Sequence, residues 1–404
     1  MQNESSLTSN ASTTVVVGMS GGVDSSVTAA VLREEGYRVI GLFMKNWEEK
    51  DANGVCSSAK EFADVVSVCR KLDIPYYSVE FVKEYWDRVF LHFLKEYEAG
   101  FTPNPDILCN REIKFDAFFE KALDFGADYL ATGHYARTDS ITEERADGMS
   151  APSARLLKGL DPGKDQSYFL HAVSGKKLQK VLFPIGDIEK KEVRKLATKF
   201  DLSTQAKKDS TGICFIGERN FQPFLAKYLR GGKGDFKNLD GKKVGTHAGA
   251  QFYTLGQRKG LGLGGEGEPW FVVSKNSVEN TVFVERGEFH PALYTDELEA
   301  RELTWIQGMP PALPGEPYRC RAKVRYRQSD QDCKLILGAS GENARVTFPT
   351  PQRAVTPGQS IVFYDGDVCL GGGVIRQLGK NFAERGHTLS DMRERFSASS
   401  SASV

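Results

Sequence analysis

The sequence predicts an α/β protein: a parallel sheet covered by helices over the first half, then a small β-rich module, then a C-terminal β-barrel. Three observations carry this. Residues 14 to about 135 alternate short β-branched runs with amphipathic helical stretches, the pattern of repeated βα units. From about residue 215 glycine becomes frequent and turn residues crowd between short apolar runs. From about 286 to 378, short alternating stretches are separated by Pro and Gly, as in a barrel or sandwich. The chain therefore divides into a disordered tail at 1–13, an α/β domain at 14–214, a central β-rich domain at 215–285, a C-terminal barrel at 286–380 and a polar tail at 381–404.

The first strand and its turn organise the α/β domain. Val15-Val16-Val17 runs into Gly18-Met19-Ser20-Gly21-Gly22-Val23-Asp24-Ser25-Ser26, and a helical stretch follows. Gly21 and Gly22 let the backbone approach a ligand. Ser20 and Ser25 add hydroxyls, and a helix N-terminus is a seat for phosphate. Arg38–Phe43 reads as the next strand, 59–72 as a helix, Tyr76–Phe81 as a strand and Glu84–Glu98 as a helix stopped by Gly100. Arg111–Phe125 is predicted helical and Asp128–Thr132 a strand. Residues 139–155 are polar and read as a surface loop. Lys164–Ala172, Ile188–Phe200 and Phe221–Leu229 read as helices; Gln251–Leu255, Trp270–Ser274 and Thr281–Glu285 read as strands. Ligands in such parallel sheets bind at the carboxyl ends of strands, where Gly18, Met44 and Gly133 fall.

Bulk properties narrow the function. The formal net charge of the 404 residues is zero, so binding to nucleic acid must come from local patches. Seven cysteines are scattered singly without a Cys-x-x-Cys pair, which argues against a zinc knuckle and for a reducing compartment. No signal core, transit pattern or membrane-spanning apolar run occurs, so cytoplasm is the expected location and no membrane partner is expected.

Two cysteines stand in loop-like surroundings. Cys109 ends Asn104-Pro105-Asp106-Ile107-Leu108-Cys109, a turn-like stretch just before the predicted helix at Arg111, with Lys114 close by. A thiolate there is favoured by the helix dipole, and Asp106 can exchange a proton; the plain alternative is a packed small apolar residue. Cys214 lies in Ser210-Thr211-Gly212-Ile213-Cys214-Phe215-Ile216-Gly217, which also reads as a buried strand or turn. His134, at a strand end, is either a general base, an RNA contact or a structural histidine. Basic residues recur at every second position from Arg319 to Arg327 (Arg319, Arg321, Lys323, Arg325, Arg327), which in a strand puts five like charges on one face. Phosphate binding accounts for such a face better than a solvated edge does. Period two puts Tyr326 on the opposite face, although base stacking by it is also open.

Ser-Gly-Gly-Val-Asp-Ser at 20–25 resembles the loop of the ATP pyrophosphatases, the PP-loop. With the two cysteine motifs, Met44-Lys45-Asn46-Trp47, Thr132–Arg137, Lys164–Leu170, Asp209–Arg219, Tyr253–Arg258 and Arg325-Tyr326-Arg327, the chain resembles the bacterial tRNA-specific 2-thiouridylases from about 15 to 378. The resemblance implies a Rossmann-like PP-loop domain with ATP held by Gly18, Met19, Ser20, Gly21, Gly22, Val23, Asp24, Ser25, Met44 and Gly133, and magnesium on the phosphates. It implies a flipped wobble uridine held by Asn104, Pro105 and Asp106, and further tRNA contacts at His134, Lys164, Asp165, Gln166, Arg325, Tyr326 and Gln359. It implies adenylation of the uridine carbonyl, Cys109 as nucleophile, Cys214 as persulfide carrier, and a Cys109–Cys214 disulfide that is reduced before the next turnover. Expected partners are tRNAs for Lys, Glu and Gln and a sulfur-relay protein or cysteine desulfurase. A PP-loop amide ligase acting on a small molecule is the alternative; it explains Ser20–Ser25 but neither cysteine motif nor the basic run. A non-enzymatic RNA-binding protein is disfavoured by the intact loop with Asp24.

Overall fold

The computed structural model describes residues 10–48, 57–144, 150–209, 221–229 and 231–401. β1 (Thr14–Met19) opens with four β-branched residues and is almost wholly buried, because helices cover both faces of its sheet. β2 (Arg38–Lys45), β3 (Tyr76–Glu80) and β4 (Tyr129–Ala131) follow with helices between them. β5 (Ala136–Glu144) and β6 (Ser150–Lys158) form an antiparallel hairpin, and β7 (Val181–Leu182) returns to the first sheet. That sheet has the order β3-β2-β1-β4-β7, all parallel. The order reverses between β1 and β4, which opens a crevice at the carboxyl ends of these two strands. Phe93, Ile113 and Phe118 pack one face of the sheet, and Val27, Val65 and Val193 pack the other.

The central module is a four-stranded sheet made by β8 (Gly234–Lys237), β9 (Lys243–His247), β10 (Trp270–Asn276) and β11 (Thr281–Arg286). The strand expected at Gln251–Leu255 does not form. Residues Ala250–Phe252 make one 3-10 turn, and Tyr253 is buried against the rings of Phe236 and His247. Plugging the module with that ring takes the place of ladder pairing.

β12 (Tyr294–Trp305), β13 (Pro317–Lys323), β14 (Gln331–Leu337), β15 (Asn343–Arg353), β16 (Ser360–Asp365) and β17 (Val368–Leu378) form the antiparallel barrel. Pairing of β12 with β17 closes it at six strands. The described part of the expected loop at 139–155 is instead the β5–β6 hairpin, and β6 pairs with β17 at Leu156–Cys369 and Leu157–Val368. The α/β domain thus lends two strands to the barrel sheet. A second correction concerns the C-terminal tail: Leu389–Ser401 is a helix, started by Thr388 and Asp391 in a reciprocal cap and packed by Met392 and Phe396 on Tyr294 and Phe382. Among the described residues no helix is long and apolar enough to cross a membrane.

The seam between the two domains buries His171, against Gly372 of β17. Burial pushes its imidazole down from the ordinary 6.5 to about 4, so it is neutral, with Nδ1 2.9 Å from the Tyr168 carbonyl. A lowered histidine gives stability that is full above the unfolded value and lost as pH falls through the interval from 6.5 to about 4. We expect this residue alone to cost about 1 kcal/mol at a pH one unit below its unfolded value. Thermal melts across that interval check it, and His171→Asn is expected to flatten the slope.

Candidate nucleotide and substrate site

The crevice between β1 and β4 opens into a cavity of about 500 Å³. Its floor is the turn after β1. Gly21 has φ +72°, a conformation open to glycine, and a Cβ there would lie 2.6 Å from the Glu61 carbonyl oxygen. The helix at Val23–Glu34 begins at Gly22 without a side-chain cap, so its first N–H groups face the cavity unclaimed by a capping side chain. Ser25 Oγ accepts the Ser20 N–H at 3.2 Å and lies 3.1 Å from Ser20 Oγ, which holds both hydroxyls beside the turn. Gly133, just past β4, closes on the same turn: a Cβ would stand 2.8 Å from the Ser25 nitrogen. Oxygens, amides and missing Cβ atoms together form a cradle of the chemistry that holds a phosphate.

The cradle is tied down by charge. Asp24 accepts hydrogen bonds from Tyr135 Oη at 2.7 Å and Lys190 Nζ at 2.6 Å. Lys190 also reaches Asp209 at 3.0 Å, and Lys164 and Arg194 meet the same carboxylate at 2.7 and 2.6 Å. Burial pushes the Asp209 carboxyl up, but the hydrogen bonds and charges of Lys190 and Lys164 outweigh it and hold it at about 2. Burial raises the Tyr135 hydroxyl, and Asp24 raises it further, so it stays protonated and donates. Lys114, Lys164, Lys208 and Arg327 also line the cavity, so its wall suits a polyanion.

The opposite wall is the helix that carries Cys109. The structure corrects the sequence reading here: helix begins at Pro105, not at Arg111. Asn104 is its cap, accepting the Asp106 N–H at 3.1 Å, and Pro105 takes the first helical position, where its missing N–H costs nothing. The Asn-Pro pair is a helix start that reads as a turn. The next stretch, Cys109–Ala117, widens to π-type pairing with Phe115 off helical geometry, and such widening is frequent at functional sites. Asp106 and Lys114 line the cavity, whereas Cys109 is fully buried in the aromatic core behind them. Arg111, expected near the thiol, is paired with Glu112 at 2.7 Å.

His134 lines the cavity with Nδ1 2.8 Å from Thr132 Oγ1, flanked by the rings of Phe115 and Phe183. Burial lowers its pKa, and the Lys114 charge lowers it further, so the imidazole is neutral and a weak base. Phe169 and Tyr326, with centroids 4.4 Å apart, give the cavity an aromatic wall. Tyr326 therefore faces the site, contrary to the period-two expectation, because β13 ends at Lys323 and the chain bends. The bend takes Arg325 and Arg327 off the expected five-charge face, and burial withdraws Lys323 within the strand. Arg319 is exposed, Arg321 pairs with Asp332, Lys323 is buried, Arg325 turns in to the Ala354 carbonyl, and Arg327 reaches the cavity.

Of the residues singled out in the sequence, the cavity gathers Gly18, Met19, Ser20, Gly22, Val23, Asp24, Ser25, Met44, Asp106, Gly133, His134, Lys164, Gln166 and Tyr326. Pro105 and Asn104 sit behind Asp106 as helix start and cap. Asp165 is buried beneath the cavity wall, its side chain 3% exposed, and Gln359 donates to the Thr102 carbonyl at 2.6 Å. Both are engaged within the protein. Cys214 and Cys56 lie outside the described residues. Cys69 and Cys369 are buried, and Cys320 and Cys333 touch across β13 and β14 at 3.6 Å. Sequence reasoning missed Lys190, whose partner Asp24 lies far along the chain, and Lys208; Tyr135 entered only within the Thr132–Arg137 stretch, without a role of its own.

The chain matches the family described as tRNA methyl transferase HUP domain over residues 13–218. It matches a tRNA methyl transferase PRC-barrel domain over 222–286 and an aminomethyltransferase beta-barrel domain over 295–375. A protein of Protochlamydia amoebophila named tRNA-specific 2-thiouridylase MnmA is 57% identical over 93% of this chain and 96% of that protein. Proteins of the same name from Staphylococcus saprophyticus and Halalkalibacterium halodurans are 55% and 54% identical, each over 92% of this chain and 97% of theirs. On this identity, held along almost the whole of both chains, the protein belongs to the tRNA-specific 2-thiouridylase family.

Proposed function

We propose that this protein replaces the carbon-2 oxygen of a wobble uridine in tRNA with sulfur, using ATP and releasing AMP and pyrophosphate. The observation that carries the reading is one cavity that joins an anion cradle at Gly18–Ser25 to Asp106, His134 and an aromatic wall. ATP fits the cradle: uncapped helix amides, two hydroxyls and lysines would meet its phosphates, and Gly133 leaves room where a Cβ would clash. Magnesium fits as an ion carried on the phosphates. Among the described residues no cluster of three ligating side chains exists, and Asp24 supplies a single carboxylate at the turn.

The uridine must leave its stack to bring O2 to the α-phosphate. Phe169 and Tyr326 offer a face for the base, and Asp106, which lines the same cavity, would meet its edge. Attack of O2 on the α-phosphate expels pyrophosphate and makes O2 part of an AMP leaving group. A persulfide on Cys214, assigned on the sequence alone, attacks carbon 2, and AMP departs with O2. The Cys109 thiolate then attacks the Cys214 sulfur, which breaks the sulfur–sulfur bond, leaves sulfur on carbon 2 and forms a Cys109–Cys214 disulfide. A thiol reductant resets the pair. This cycle suits the cytoplasm, with a sulfur-relay protein or cysteine desulfurase as donor and tRNAs for Lys, Glu and Gln as acceptors.

The test uses purified protein, α-phosphate-labelled ATP, unmodified tRNA and a sulfide source. AMP that forms only when tRNA is present, with product tRNA retarded on a mercury-containing gel, is expected. AMP formed without tRNA and no retarded band would move the protein to the small-molecule ligases.

A further inference from the structure

From the buried charges between the domains, we infer that Lys323, on the barrel, is a positioning residue of the nucleotide site, acting through Asp165. The inference rests on the ATP-dependent reading above and adds a role for the barrel in it.

Lys323 and Asp165 are almost fully buried and meet at 3.2 Å. Lys158 and Asp330 complete a cluster of two cations and two anions, with Asp330 also 3.7 Å from Lys323. The cluster is electrically neutral as built, and the Tyr364 ring lies under both ammonium groups at 4.6 and 5.2 Å. Buried pairs of this kind contribute little net stability, because desolvation offsets attraction. What such a cluster enforces is charge balance: a lone buried charge draws its neighbours out of place, whereas removing both partners leaves the Lys158–Asp330 pair to hold the two domains together.

What Asp165 registers is the wall of the cavity. Its second oxygen accepts the N–H groups of Gly159 and Ser167 at 3.1 and 3.0 Å, which shapes the strap between them. Gln166, next on the strap, exchanges two hydrogen bonds with Tyr135: Tyr135 N–H to Gln166 Oε1 at 3.0 Å, and Gln166 N–H to the Tyr135 carbonyl at 2.8 Å. Tyr135 holds Asp24 through its hydroxyl at 2.7 Å. A continuous series of contacts therefore runs from the barrel cation to the phosphate turn. It also explains why a lysine in a run of basic residues is turned inward, where RNA cannot meet it.

Removing one partner unbalances the cluster by one charge; removing both restores neutrality. Lys323→Met leaves one net negative charge, and Asp165→Asn leaves one net positive charge. Asparagine still accepts the two N–H groups, so the strap keeps its local shape. We expect each single variant to raise the ATP Kd about tenfold, to leave the tRNA Kd within about twofold, and the double variant to return close to the wild-type ATP Kd.

Equilibrium dialysis with labelled ATP, and filter binding with an unmodified tRNA transcript, are run on the full chain with thermal melts alongside. If wild-type protein binds no ATP, the nucleotide reading itself fails. If it binds and the single variants bind equally well, or the double variant is no better than the singles, the positioning role is overturned. Loss of tRNA affinity alone in Asp165→Asn would return that residue to RNA contact and also overturn it. Should the single variants not fold, the double variant decides: wild-type ATP affinity supports the coupling, and weakened affinity rejects it.

Discussion

Cys109→Ser is expected to lower tRNA thiolation by at least about a thousandfold, since loss of a reacting group removes a whole step rather than one contact. ATP binding is expected to stay within about twofold, because Cys109 stands behind the cavity wall and not in it. The substitution is close in size, but it puts a hydroxyl into the core with Ile113 and Phe118, at a cost of about 1–3 kcal/mol if the hydroxyl finds no acceptor. A melt separates that cost from the chemical one. Single-turnover thiolation, read as sulfur in tRNA, is the measurement. Retained thiolation would make Cys109 a packing residue, which its full burial among aromatic rings also fits.

Gly133→Ala is expected to weaken ATP binding by about ten- to a hundredfold while tRNA binding holds. The added methyl would lie 2.8 Å from the Ser25 nitrogen and 2.9 Å from the Asp24 carbonyl carbon. Both are backbone atoms of the phosphate turn, so no side chain can swing away to relieve the contact. The turn itself must move, and its N–H groups lose their aim. Stability is expected to fall by about 1–3 kcal/mol. Labelled-ATP dialysis measures the first effect; an unchanged Kd would put the nucleotide somewhere other than between β1 and β4.

Sequence carried the local parts of this architecture and missed those set by distant partners. β1, its glycine turn and the following helix were legible because strand composition, turn chemistry and helix start agree within about twenty residues. Gly18, Met44 and Gly133 followed from the rule that parallel strands bind ligands at their carboxyl ends, and all three line the cavity. The β5–β6 hairpin was not legible, since what fixes it is pairing with β17, some two hundred residues later. Likewise the alternation from Arg319 to Arg327 continues past the point where the strand ends, and Lys323 is claimed by Asp165 far upstream. Asn104-Pro105 and Thr388–Asp391 are different. Both are helix starts that cap chemistry can reveal, and both were hidden by reading Pro, Ser and Thr as turn or tail.

The most direct test of the central claim follows one oxygen atom. A tRNA carrying oxygen-18 at carbon 2 of the wobble uridine is turned over with ATP and a sulfide source, and the AMP is weighed by mass spectrometry. Adenylation of the carbonyl predicts that the heavy oxygen leaves in AMP, in step with sulfur entering the uridine. AMP without the label, its new oxygen drawn from water, would contradict carbonyl activation and leave ATP hydrolysis uncoupled from thiolation.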